Sequence, residues 1–267
     1  MREKRISVVD LARMKTEGEK IAVLTAYDAT FARVLETAGV EVLLVGDSLG
    51  MVVQGQATTL PVSVDDMVYH TAAVVRGSRR ALVVADMPFL SCATPAMALE
   101  AAGRLMQRGG AQMVKLEGGR RRLEVVEALV AEGIPVCGHL GLLPQSVHKL
   151  GGYRVQGRGA EEAGRLVADA EALQAAGADM LVLECVPSAL AERVSRALRI
   201  PVIGIGAGVG CDGQVLVLYD MLGMGPENPP RFIEDFLVGQ GSVAAAVKQY
   251  VREVKAGRFP GPEHGFE

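Results

Sequence analysis

A single (β/α)8 TIM barrel is the fold this sequence predicts, and three observations predict it. Eight short apolar runs recur along the chain, each ending in a polar residue or a glycine-rich turn. Segments with helical patterning fill most of the intervals, so strand and helix alternate. The length, 267 residues, suits one barrel of about 250 residues, so residues 1–267 are expected to form one catalytic domain. Short continuous apolar runs read as strands buried on both faces, as in a parallel sheet. Their alternation with helices makes the fold α/β.

Taken in order, the expected strands are 21–26, ending at Tyr27-Asp28; 42–45, at Gly46-Asp47-Ser48; 81–85, at Asp86; and 112–114, at Lys115-Leu116-Glu117. Then come 134–137, ending at Gly138-His139; 180–183, at Glu184; 202–205, at Gly206-Ala207-Gly208; and 215–218, at Tyr219-Asp220. Helix 29–38 is stopped by Gly39. Ser63 caps 64–76, with Asp65 and Asp66 in the first turn, where the helix dipole favours anions. Thr94-Pro95 starts 96–108. Helix 122–132 ends at Gly133, 161–176 at Gly177, and 188–198 before Ile200-Pro201. Residues 226–230 read as a loop, 231–236 and 243–255 as helices, and 259–267 as an irregular tail.

Two long connections, 50–61 and 143–159, interrupt the alternation; such loops usually cover a site or form an interface. The interval between Gly208 and Val215 is too short for an ordinary helix. Either the seventh helix is missing or 215–221 is not a regular strand.

Net charge is −3, which leaves no nucleic-acid footprint. Arg79-Arg80 and Arg120-Arg121-Arg122 read as solvated helix ends. Cys92, Cys137, Cys185 and Cys211 match no zinc or redox spacing and read as free thiols of a reducing compartment. No apolar run reaches the roughly 18–20 residues of a membrane span. The charged start, Met1 to Arg5, lacks a following apolar stretch. The expectation is a cytoplasmic protein without a membrane partner.

Catalytic groups of such barrels sit at the C-terminal ends of the strands. Asp47, Asp86 and Glu117 fall on consecutive strand ends and supply hard oxygen ligands suited to Mg²⁺; helix capping or an ion pair with Lys115 is the alternative for each. Lys115 and Glu117 are two apart on one strand, so both point to the same face, either joined in a salt bridge or free to hold a substrate oxygen. Glu184 has apolar neighbours, so desolvation raises its pKa toward that of a general base; a capping role is the alternative. His139 is either an accessory site residue or a satisfied core histidine. The glycines from Gly204 to Gly210 resemble a phosphate cradle, or allow close approach to a flat substrate.

The chain is identified by its motifs as resembling the ketopantoate hydroxymethyltransferase family along its whole length. The matching stretches include Leu24-Thr-Ala-Tyr-Asp28, Val45-Gly-Asp-Ser-Leu-Gly-Met51, Val84-Ala-Asp-Met-Pro-Phe89 and Val114-Lys-Leu-Glu-Gly-Gly119. Others are Gly138-His-Leu-Gly-Leu142, Pro144-Gln-Ser-Val-His148, Leu150-Gly-Gly-Tyr153, Leu183-Glu-Cys-Val-Pro187 and Phe259-Pro-Gly-Pro-Glu-His264. The chain departs from the family pattern at Tyr219, where His is usual, at Val209-Gly210, and at Cys92, where Tyr is common.

The resemblance implies transfer of a hydroxymethyl group from 5,10-methylenetetrahydrofolate to 3-methyl-2-oxobutanoate, giving 2-dehydropantoate for pantothenate and coenzyme A. It implies Mg²⁺ on Asp47 and Asp86, with Glu117 completing the site. It further implies keto-acid contacts from Asp47, Ser48, Asp86 and Lys115, and Glu184 as the base that forms the enolate. A homo-oligomer, a decamer, is implied too. Two alternatives stay open. A barrel of the phosphoenolpyruvate mutase and isocitrate lyase type would share the Mg²⁺ and enolate chemistry, but its Cys-containing mobile loop motif is absent. A non-catalytic binding barrel is expected to lose the acidic rim, which this chain retains.

Overall fold

The computed structural model describes residues 4–225 and 227–267. Met1 to Glu3, at the charged start, and Pro226, in the expected 226–230 loop, lie outside the described residues. Eight parallel strands close into a barrel in chain order. They are β1 (Ile21–Thr25), β2 (Val42–Val45), β3 (Leu82–Asp86), β4 (Met113–Glu117), β5 (Val136–Gly141), β6 (Met180–Glu184), β7 (Val202–Ile205) and β8 (Gly213–Leu216). The helices are α1 (Val8–Thr16), α2 (Ala29–Ala38), α3 (Leu49–Val52), α4 (Val64–Gly77), α5 (Pro95–Gln107), α6 (Leu123–Ala131), α7 (Val147–Leu150), α8 (Ala160–Ala175), α9 (Ser188–Ala197), α10 (Leu218–Met221) and α11 (Val243–Lys255). No helix among the described residues is long and apolar enough to cross a membrane.

Period-two alternation sorts each strand's side chains. Ile21, Val23, Val42, Leu44, Val84, Met113, Cys137, Met180 and Val182 share an inner cluster. Ala22, Leu24, Leu43, Val45, Val83 and Leu181 belong to the layer that packs with helix residues such as Leu35, Met67 and Leu105. The helix starts follow local chemistry. Ser63 and Asp66 form a capping box at α4, and the Thr94 side chain accepts from Met97 N–H at α5, with Pro95 in the first turn. Gly39, in the left-handed region (φ 106°), ends α2.

The expected strands gain or lose residues at their ends. β4 and β5 extend further toward their polar ends than the apolar runs did, because Lys115, Glu117 and His139 are themselves strand residues pairing with their neighbours. β8 is corrected from 215–218 to Gly213–Leu216, and no helix separates it from β7. Gly213 pairs with both Ile21 and Ile203. A Cβ at Gly213 would stand 2.3 Å from the Ile21 carbonyl oxygen, so a glycine, not an apolar side chain, opens this strand. The expected helix 231–236 does not form. This stretch runs through turns after Pro229-Pro230, with Ile233 N–H donating to the Pro230 carbonyl (3.0 Å).

Helix α1 was not expected. A Ser7–Asp10 capping box starts it, and its buried residues, Leu11 and Met14, join the inner cluster of the barrel. Lys15 in its last turn bonds the Ser195 and Ile200 carbonyls and pairs with Asp212 (2.7 Å). Helix α11 packs against α2 and β1. Its fully buried Tyr250 places the hydroxyl 2.9 Å from both the Val23 and Gln214 carbonyls; with one proton it donates to one of them at a time. Phe236 and Phe259 pack edge-on against its ring.

Tyr250→Phe keeps the ring and leaves these carbonyls without the hydroxyl. Thermal unfolding is expected to fall by the equivalent of about 1–2 kcal/mol, with steady-state activity per folded molecule unchanged; an unaltered melting temperature would show that the bond contributes nothing.

Candidate active site

The C-terminal rim gathers what the strand ends supply. Asp47, Ser48, Asp86, Lys115, Glu117, His139 and Glu184 line one cavity of about 100 Å³. Each arrives by a local rule. Asp47 and Ser48 lie between β2 and α3. Asp86 ends β3 and stands in register with Lys115. Lys115 and Glu117 are two apart on β4, and Glu117 pairs with His139 on β5. Glu184 ends β6 in register with Gly141. A Cβ at Gly141 would stand 2.2 Å from the Glu184 carbonyl oxygen, so glycine permits this close approach. Cys185, the next residue, adopts φ 48°, an uncommon left-handed conformation for a side chain at the base of a site.

Lys115 Nζ donates to Asp86 Oδ1 (2.5 Å). Of the open readings, Lys115 takes the ion pair with Asp86 across the β3–β4 ladder rather than the salt bridge with Glu117. The other Asp86 oxygen accepts from the Asp47 backbone N–H (3.0 Å). His139 Nε2 lies 3.2 Å from Glu184 Oε2, and Nδ1 lies 3.8 Å from Glu117 Oε1. Neither approach has hydrogen-bond geometry, so both ring nitrogens are buried without a partner among the described residues.

Four carboxyls thus share the cavity with one ammonium. Burial, then the Asp86 charge, push the Asp47 carboxyl up to about 7. Burial and then the Asp47 charge raise Glu117 well above the carboxylate range. Glu184 rises to about 7, chiefly by desolvation, with Lys115 pulling the other way; its side chain keeps 15% of its surface open. Burial and then the Lys115 charge hold His139 well below its usual value, so the imidazole is neutral. Burial alone would lower Lys115, but the Asp86 and Asp47 charges hold it raised and protonated.

No group of three or more His, Cys, Asp or Glu side chains suited to hold a metal occurs among the described residues. The donor set still fits a hard dication. Mg²⁺ is commonly held by one or two carboxylates, with waters and substrate oxygens completing its shell. Asp47 and Asp86 are buried, adjacent and mutually repelling.

Several contributors were not singled out from sequence. Gln145, in the turn after β5, donates through Nε2 to Asp47 Oδ2 (2.8 Å) and to the Met87 carbonyl (3.0 Å), and its N–H donates to Glu117 Oε2 (3.1 Å). The Pro144-Gln-Ser-Val-His148 match and the length of loop 143–159 were the available signals. That loop does cover the rim. The Tyr27 hydroxyl bonds Ser48 Oγ (2.8 Å), and Tyr219, at the position of the unusual residue, stacks on Tyr27 with ring centroids 5.9 Å apart. Arg122 is not a solvated helix end: it donates to the Glu117 and Cys92 carbonyls. The Gly204–Gly210 run is closed by protein. Cβ atoms at Gly206 and Gly208 would stand 2.9 Å from the Phe232 ring and 2.5 Å from Ser188 Oγ, so these glycines serve packing, not a phosphate cradle. The four cysteines are free and buried.

The inner cavity opens into a vestibule of about 640 Å³ that shares Asp47, Ser48 and Glu184 with it. Met51, Tyr153, Ile205 and Phe232 give this outer space an apolar wall.

The profile of a family described as "Ketopantoate hydroxymethyltransferase" matches residues 5–262. The 3-methyl-2-oxobutanoate hydroxymethyltransferase of Halorhodospira halophila (strain DSM 244 / SL1) is 62% identical over 262 residues, 98% of this chain and 95% of the relative. The protein of the same name from Nitrosococcus oceani is 60% identical over 96% of this chain and 97% of the relative. A crystal structure of 2,3-dimethylmalate lyase, described as a PEP mutase/isocitrate lyase superfamily member, aligns with TM-score 0.58 at 21% identity, over 81% of this chain and 82% of that one. That likeness speaks for the barrel fold alone.

Asp47→Asn tests the electrostatics. The folded-state pKa of Asp47 is raised from 3.8 to about 7, so its ionisation opposes folding increasingly as pH rises across that window. Asn still accepts from Gln145. The variant is expected to melt several degrees higher than the parent at pH 8 in chelator, at about 2–4 °C per kcal/mol. The gap should narrow as pH falls and close only near the unfolded-state value of 3.8, where Asp47 is protonated in the folded and the unfolded chain alike. A pH-independent difference would refute this account.

Proposed function

The chain belongs to the ketopantoate hydroxymethyltransferase family and is an enzyme, and from that membership we propose that it transfers a hydroxymethyl group from 5,10-methylenetetrahydrofolate to C3 of 3-methyl-2-oxobutanoate. The product is 2-dehydropantoate, an intermediate on the way to pantothenate and coenzyme A. The observation that carries the reading is a carboxyl with its pKa raised to about 7, Glu184, in one cavity with an acidic pair and a buried ammonium.

The keto acid occupies the inner cavity. Ser48 donates to its oxygens, its hydroxyl oriented by Tyr27. Lys115, held protonated by its acidic neighbours, neutralises charge on the carboxylate or the enolate oxygen. Asp47 and Asp86 would hold Mg²⁺, with Glu117 completing the site. When bound, the ion supplies a Lewis acid that favours the enolate. Glu184 sits on β6, opposite β2 in the eight-strand ring, and removes the C3 proton from the side facing away from Asp47. Its raised pKa suits a base near neutrality. The neutral His139 beside it adds no competing positive charge that would lower that pKa. The vestibule receives the folate, and its apolar wall limits water at the reacting carbon. The enzyme works in the cytoplasm as a homo-oligomer, a setting consistent with its four free thiols.

The deciding assay is proton exchange at C3 of the keto acid, followed by NMR in D₂O, with and without Mg²⁺ and tetrahydrofolate. Exchange that needs the divalent ion supports the reading; absence of exchange under every condition rejects it.

Two variants assign the roles. Glu184→Gln keeps the shape and removes the basicity. It should still bind the keto acid but lose exchange by about 10²–10⁴-fold. In the parent, kcat/KM for exchange should climb with pH through about 7, as the free carboxyl ionises. Exchange near the parent rate in the variant would move the base elsewhere, with His139 first.

Asp86→Ala removes one of the three proposed carboxylate ligands and the partner of Lys115. Calorimetric titration should show Mg²⁺ affinity reduced at least about tenfold, the loss expected from weakened metal-site support, in a protein that keeps its circular dichroism. Unchanged affinity would remove Asp86 from the metal site.

A further inference from the structure

Asp220 is a carboxyl that the mechanism above leaves without a task. It lies in α10, just beyond β8, on the wall of the vestibule. Burial pushes it up to about 6, with no cation and no hydrogen bond acting in the other direction. Asp220 is half-buried, and no side-chain ion-pair or hydrogen-bond partner reaches its carboxyl among the described residues. Gly225 leaves it room: a Cβ there would stand 2.7 Å from Asp220 Oδ1. Asp220 lines the vestibule together with Ser48, whose hydroxyl bonds Tyr27. Arg154 and Arg231, both more exposed than Asp220, line the same space with the opposite charge.

A tetrahydrofolate has the complementary order of groups. Its pterin ring presents two parallel donors on one edge, N3–H and the 2-amino group, and its tail ends in carboxylates. An ionised carboxyl is an acceptor-only group with two oxygens, matched to two parallel N–H donors. We propose that Asp220 is a specificity-determining residue for the one-carbon donor, accepting from the pterin N3–H and 2-amino group while Arg154 and Arg231 face the tail carboxylates. This inference rests on the folate reading of the vestibule given above.

The test uses the full-length protein with Asp220→Asn and Asp220→Ala. Calorimetry measures Kd for tetrahydrofolate, for its analogue lacking the 2-amino group, and for the keto acid. Loss of two charge-assisted hydrogen bonds is expected to weaken tetrahydrofolate about 10- to 100-fold. The parent's preference for tetrahydrofolate over the analogue is expected to shrink to within about threefold in both variants, as a direct coupling requires. A general disturbance of the vestibule would weaken both pterins alike and preserve that preference. Preserved preference, or tetrahydrofolate affinity within about twofold of the parent, overturns the role of Asp220. A parent that binds no tetrahydrofolate at all rejects the folate reading itself, an outcome distinct from a parent that binds and variants that do not differ.

Discussion

The buried pair between Lys115 and Asp86 organises the rim. It joins neighbouring strands at the point where the barrel ceases to be apolar, and every other carboxyl of the site is measured against it. Removing one partner of such a pair typically costs about 3–5 kcal/mol, because the other charge is left desolvated. Here the pair is also insufficient by design: one ammonium faces Asp47, Asp86, Glu117 and Glu184. Burial, and after it the surplus negative charge, raises the Asp47 and Glu117 carboxyls. The surplus leaves a place that a divalent cation and a substrate can relieve.

The two ends of the barrel divide the labour. At the N-terminal end, α1 seats Leu11 and Met14 in the inner cluster, and Lys15 ties three carbonyl or carboxylate oxygens together. Tyr250 adds a buried hydroxyl under β1 and β8. Here the polar groups are satisfied and the rest of the contact is apolar. At the C-terminal end the polar atoms are buried yet under-supplied, as the two bare nitrogens of His139 illustrate. The well-bonded lower half supports an upper half that carries costly buried groups. The clamp on Glu184 is of this kind: its carbonyl accepts from Leu142 N–H (2.8 Å), beside a glycine that permits the approach.

Much of this was legible in the sequence. Seven candidate residues, from Asp47 to Glu184, were read from positions at the ends of apolar runs, and all of them line one cavity. The reason is geometric. A parallel barrel puts every strand's C-terminal end on one rim, so position along a run translates directly into position in space. Helix starts at Ser63 and Thr94 were equally readable, because capping is a local interaction between residues three apart.

What depended on residues distant in sequence was decided only by the folded chain. Which acid Lys115 would pair with follows from the β3–β4 register, not from its neighbour Glu117 on the same strand. Gln145 reaches Asp47 across 98 positions, and no periodicity announces a lone amide in a loop. The start of β8 at Gly213 is set by a backbone contact with β1, which requires the absence of a side chain and so gives no hydrophobic signal. The glycines from Gly204 to Gly210 allow a phosphate cradle or close approach to a flat substrate on sequence grounds, and it is Phe232 and Ser188, distant in the chain, that fill the space beside Gly206 and Gly208. Local propensity and the order of apolar runs are written in single stretches of chain, and the sequence by itself determined the barrel and the identity of its rim acids. Pairing, packing partners and the opening of the vestibule arise only when strand closure brings separate stretches together, and those the tertiary structure decided.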